Sequence, residues 1–134
     1  MWTNLALLFL RLVVGALFVG HGTQKAFGWF GGPGFTGTTG WLASIGMKPA
    51  PVHAALAATF ETLGGLSLIL GVETWVGALM IIGVMLVAIK TVHFPKGVWN
   101  SNGGFEYNLT LIAVALFLAA NGPGTYSLPA LLGR

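Results

Sequence analysis

The chain has 134 residues, of which 55% are hydrophobic and 7% charged, with a formal net charge of +3 and a mean hydropathy of +0.84. Soluble domains are about one quarter charged, so a chain this short and this apolar is expected to have the bilayer as its solvent and to form a single domain over residues 1–134. The lack of cysteine excludes disulfides, Fe–S clusters, thiolate zinc sites and a thiol relay within the chain, and the scattered basic residues form no run that would suit nucleic acid.

The first apolar run, at 4–22, contains Arg11 and ends at His21. It has no basic leader and no small-residue cleavage pattern, so it reads as a retained span rather than a signal peptide. Asn4 is placed to cap it. A long connection follows, "GTQKAFGWFGGPGFTGTTGWLASIGMKPAP". Connections of this length are uncommon and often functional. "TTGWLASIG" predicts a short helix lying in the membrane interface, where Trp29, Phe30, Phe35 and Trp41 suit the headgroup level. The glycine cluster "GGPGFTG" is no phosphate loop, since no Gly-Lys-Ser/Thr follows it and no strand precedes it.

The second run, 52–72, opens after Pro49 and Pro51 and carries Glu61 near its middle. A tight turn leads to the third, 74–93, with Thr74 as its expected cap and Pro95 as its stop. A polar loop, "FPKGVWNSNGG", precedes the fourth run at 106–121, which "NGPG" closes. Only helices or closed barrels cross lipid. Continuous apolarity without period-2 alternation predicts the former. The expected fold is therefore all-α, an integral-membrane four-helix bundle running up-down-up-down. Frequent Gly and Ala in the spans would let helices approach closely, within one bundle or between copies in a homo-oligomer. Lys25, Lys48 and Lys96 bias the first and third loops toward the cytoplasm, with both termini opposite.

Antiparallel connectivity brings His21, His53, Lys90, His93 and Glu106 into one leaflet. Arg11 lies about 15 Å along the axis from His21 and Glu61 about 12 Å from His53, at 1.5 Å per residue. The two are therefore expected at similar depth, as an Arg11–Glu61 pair. A charge near the bilayer centre is costly unless paired, and a guanidinium can hold a carboxylate through two bonds. Such a pair either fixes helix register or forms a functional centre; the sequence leaves both readings open. Glu61 and Arg11 are the candidate catalytic residues. His21, His53, Lys90, His93, Glu106 and Trp99 are candidates for contacts to a cofactor. Lys90 can also simply snorkel, and Glu106 can sit at a helix N-terminus. Each histidine comes from a different helix end without ligand spacing, which argues against a metal or haem site. Hydrogen bonding to a polar ligand headgroup, or proton exchange near neutral pH, is the more natural use of histidine here.

The stretches "LRLVVGALFVGHGTQKAFGWFGG", "FETLGGLSLILG" and "MLVAIKTVHFPKGVWNSNGGFEYNLTLIAVALFLAANGPGTYSLPALLG" span nearly the whole chain. Their joint order of Arg11, His21-Gly22, Lys25, Glu61 with Gly64-Gly65, His93, Glu106-Tyr107 and Gly122-Pro123-Gly124 resembles the DoxX family of small four-span bacterial membrane proteins. Pro129 stands where that family often has an acidic residue. The family takes its name from the small membrane subunit of a thiosulfate:quinone oxidoreductase. The resemblance thus implies an inner-membrane, quinone-linked redox component, with electrons supplied by a partner subunit or a soluble redox protein. The alternative from the residues is a non-catalytic oligomer that binds or passes a small solute or ion, or anchors a partner; a small hydrophobic ligand other than quinone is a candidate occupant. Fold alone does not choose between them.

Overall fold

The computed structural model describes residues 1–134 and is helical throughout, without strands. The helices are α1 (Trp2–Phe27), α2 (Gly34–Ser44), α3 (Ala50–Leu70), α4 (Thr74–Ala88), α5 (Glu106–Asn121) and the single turn α6 (Leu128–Leu131). A π-helical turn, Ile89–His93, and a 3₁₀ turn, Phe94–Lys96, prolong α4. Three helices are long and apolar enough to cross a membrane: α1, α3, and α4 with its extension to Lys96. The fourth apolar helix, α5, is shorter; its 16 residues reach about 24 Å, against a hydrocarbon core of about 30 Å. Only 28 of 134 residues are buried, and Phe9, Leu17, Leu63, Leu79 and Phe117 point outward. So much outward apolar surface suits lipid.

Glycine explains the closest helix contact. A Cβ on Gly15 would lie 2.7 Å from Gly65 O, and one on Gly22 would lie 2.7 Å from Thr62 N and 2.9 Å from Ala58 O. Backbone therefore rests on backbone along α1 and α3, as small residues allow in a membrane. The partners also show that the two helices run antiparallel. α3 then packs on α4, and α4 on α5. One apolar core joins Leu7, Val14 and Phe18 of α1 to Leu68 of α3, Ile81 and Met85 of α4, and Leu111 and Leu118 of α5. The short helix predicted in the long first connection is α2, which packs on α1 and α3.

The expected Arg11–Glu61 pair does not form. Arg11 Nε donates to Leu68 O at 2.8 Å and Nη2 to Ile69 O at 3.1 Å, while Nη1 donates to Pro123 O at 2.9 Å and Tyr126 O at 2.7 Å. The last-turn carbonyls of α3 have no partners within the helix, and a cation suits that end of the helix dipole. Leu68 is seven residues beyond Glu61 (68 minus 61), about 10 Å along the axis. The misplacement has a simple source. α1 continues past His21 to Phe27, and Gly22 lies against Ala58 and Thr62, so His21 is level with Glu61 and not with His53. Two expected caps also differ. Asn4 lies inside α1 and instead accepts a hydrogen bond from Thr125 N–H at 3.1 Å. The residue capping α4 is Glu73, in a left-handed conformation, with Thr74 already helical.

Arg11 and Asn4 thus tie the C-terminal segment to α1. Arg11→Met would strand several carbonyls without donors, and at about 1–3 kcal/mol for each unsatisfied group the unfolding free energy should fall by about 3 kcal/mol or more. Arg11→Lys should recover only part, because an ammonium is a point donor and cannot span four carbonyls. Unfolding of the two variants in detergent checks both expectations.

Candidate functional site

A cavity of about 470 Å³ opens among α1, α2, α3, α4 and α5 at the end where the first and third loops lie. Its volume falls within the usual range for small-molecule sites, about 300–1,000 Å³. The helices deliver regular stripes to it: Phe18, His21 and Lys25 from α1; His53, Ala57, Phe60 and Glu61 from α3; Val84, Met85 and Ala88 from α4. These positions recur at three- and four-residue spacing, which is one helix face. α5 adds Tyr107, Asn108 and Leu111, and Trp41, Leu42 and Met47 of the first connection form the roof.

The polar centre is an ion pair. Lys25 Nζ lies 2.8 Å from Glu61 Oε2, with the glutamate side chain 5% exposed and the lysine side chain 27%. Gly22 opposes Ala58 and Thr62, so Lys25 stands nearer the helix end than Glu61 does. Side chains on a helix lean toward its N-terminus, which carries the Lys25 stem down to the buried carboxylate. Thr38 Oγ1 donates to Lys25 O at 3.3 Å and binds α2 to the same turn.

His93 reaches the cavity through the π-helical turn. Phe94 N–H donates to Ile89 O, five residues back. Pro95 has no N–H, and its ring clashes with the carbonyl four residues earlier in a regular helix, which accounts for the loosening here. Single π turns recur at functional sites. The His93 ring donates from Nδ1 to Gly103 O at 2.7 Å; a carbonyl can only accept, so the proton is on Nδ1. Asn108, 5% exposed, donates from Nδ2 to Met85 Sδ at 3.4 Å.

Of the residues expected at a site, Glu61, His21, His53 and His93 line the cavity. Arg11, Lys90, Trp99 and Glu106 do not. Lys90 and Trp99 are exposed, and Glu106 accepts Asn100 N–H at 3.0 Å at the start of α5. No group of three histidine or acidic side chains is arranged to hold a metal ion. The sequence reading did not assign Lys25, Asn108 or Met85 to the site. Lys25 was legible in principle, since Phe18, His21 and Lys25 form one stripe once the first helix is extended to Phe27.

Fold and site together define a small helical membrane protein with a polar-ended apolar cavity between its helices. The DoxX family model matches residues 6–94, and the chain belongs to the DoxX family. The chain is 29% identical over 133 residues to an Escherichia coli (strain K12) protein named "Inner membrane protein YqjF", covering 98% of this chain and 95% of the relative. It is also 29% identical over 114 residues to a Bacillus subtilis (strain 168) protein named "Putative oxidoreductase CatD", covering 85% of this chain and 78% of the relative. No solved structure matches the chain significantly.

Removing one member of a buried pair leaves the other charge uncompensated, at about 3–5 kcal/mol. Lys25→Met should therefore lower the melting temperature clearly. The double variant Lys25→Met/Glu61→Gln should recover most of the loss, and a double-mutant cycle in detergent measures the coupling.

Proposed function

We propose that this chain is an inner-membrane, quinone-binding component of an oxidoreductase system, with four helices crossing the bilayer up-down-up-down. The observation that carries this reading is the cavity: apolar walls with room for a ring and the start of a tail, and a polar end formed by Lys25, Glu61, His21, His53 and His93. A lipid-soluble ring with two oxygens needs that combination. The resemblance to a protein named an oxidoreductase supports the redox setting, and the resemblance to one named an inner membrane protein supports the compartment. The lysines of the first and third loops favour the cytoplasmic side for the polar end of the cavity.

The chain's own contribution is binding and orientation. Lys25 offers N–H donors beyond the one used by Glu61, and the histidines offer ring nitrogens that can donate or accept a hydrogen bond. Electrons come from a partner subunit or a soluble redox protein, since redox chemistry of this kind rests on groups that side chains alone do not supply.

Gly83 lines the cavity, and a Cβ there would meet nothing within 4 Å. Gly83→Leu should therefore fill the space without disturbing the packing. Added decylubiquinone at a hundred times its dissociation constant should stabilise the unaltered protein by about 2.7 kcal/mol and leave Gly83→Leu unmoved. If no quinone is extracted with the purified protein and none raises its melting temperature, the quinone reading is wrong.

A further inference from the structure

α3 and α4 part as they leave their connecting turn. Near the turn a Cβ on Gly64 would lie 3.1 Å from Gly77 O and 3.2 Å from Ile81 Cγ1, so Gly64 is level with the residue midway between those two. Four residues are about one helical turn, and the two helices run in opposite directions. One turn farther from the connection Phe60 therefore stands level with Gly83, and two turns farther Leu56 stands level with Val87. The close contact has gone by then, since a Cβ on Gly83 would meet nothing within 4 Å. Ala57, Gly83 and Ala88 line this stretch of the cavity and are too short to close it.

The gap faces lipid. Leu56 and Val87 line the cavity, yet they are 47% and 48% exposed, so each borders the interior on one side and the outside on the other. Gly83 is nine residues from Thr74 (83 minus 74) and Val87 nine from Lys96 (96 minus 87), the two ends of this span. Each thus lies about 13 Å from the nearer end, at 1.5 Å per residue, which is the level of the hydrocarbon and not of the headgroups. The side chains bordering the gap are apolar. Glu61, beside Phe60, turns to the buried side and is 4% exposed, so an opening here leaves no charge bare in lipid.

We propose that the seam between α3 and α4 is a lateral entrance, through which uncharged, lipid-soluble molecules pass from the bilayer into the cavity without crossing water. Leu56, Phe60 and Val87 frame it, and Gly83 keeps it open by lacking a side chain. This route goes beyond quinone binding and holds whatever occupies the cavity.

The chain has no cysteine, so Met85→Cys places a single thiol on the inner wall, where Met85 is buried. The full chain is held in phosphatidylcholine nanodiscs, which leave both faces open to water. Two thiol reagents are compared: N-ethylmaleimide, which is uncharged and enters lipid, and a sulfonated maleimide, which stays in water. Scaled to their rates with glutathione, the uncharged reagent should label the thiol at least about tenfold faster. Adding Gly83→Leu should slow that labelling by at least about tenfold, and Phe60→Ala should speed it. Leu79→Phe, on the lipid-facing side of α4 but outside the cavity, should change nothing. Equal scaled rates for the two reagents overturn the proposal, because the cavity then fills from water. Labelling by neither reagent, or a rate that Gly83→Leu leaves unchanged, overturns it as well. The comparison of reagents needs no seam variant, and Ala88→Cys supplies a second cavity thiol if Met85→Cys fails to fold. No quinone is present, so the outcome is separate from that of the quinone test.

Discussion

The contact of α1 with α3 through Gly15, Gly22 and Gly65 sets the distances on which the other interactions depend. With backbone against backbone, the two helices lie close enough for side chains of α1 to reach the main chain and the buried groups of α3. At one end Arg11 spans from α1 to the last carbonyls of α3 and the C-terminal segment. At the other, Lys25 reaches Glu61. A bulkier residue at the glycines would push the helices apart and weaken both. The two charged clusters thus have different work: one closes a helix end, the other forms the polar end of a cavity.

The cavity exists because close packing does not extend to the loop end. α3 and α4 touch near Gly64 and Gly77; farther from their connecting turn, residues of both line a shared space instead. Pro95 disturbs the end of α4, and the resulting π turn brings His93 to that space while Gly103 orients its ring. The long first connection folds over the top as α2. Deep polar groups in lipid are costly and tend to mark function. Here a carboxylate, an ammonium, an amide and imidazoles line a space with largely apolar walls.

Much of the helical framework was legible in the sequence. The predicted runs at 52–72 and 106–121 correspond to Ala50–Leu70 and Glu106–Asn121, because apolar composition and flanking turn residues mark them directly. The first helix was cut short at residue 22, because "GTQKAF" is polar and resembles the loop that follows. That small error moved Lys25 out of the helix and made Arg11 seem level with Glu61. Half of the expected site residues, Glu61 and the three histidines, do meet at the cavity. Asn108 gave no signal, since one amide at the start of an apolar helix also reads as an interfacial residue.

Composition was enough to assign this protein to lipid, and continuous apolar runs without alternation to helices, because a backbone in hydrocarbon must satisfy its own hydrogen bonds and a barrel strand would alternate. The same composition indicated that its few intramembrane charges would need partners, because bare ions there are too costly. Which partners they take was decided only in three dimensions. A change of a few residues in register carries a charge about 1.5 Å along the axis for each residue, and ion pairs and hydrogen bonds form only over a few ångströms. Helix ends, glycine contacts and the lean of side chains set that register. They gave Glu61 to Lys25 and left Arg11 to the open end of α3.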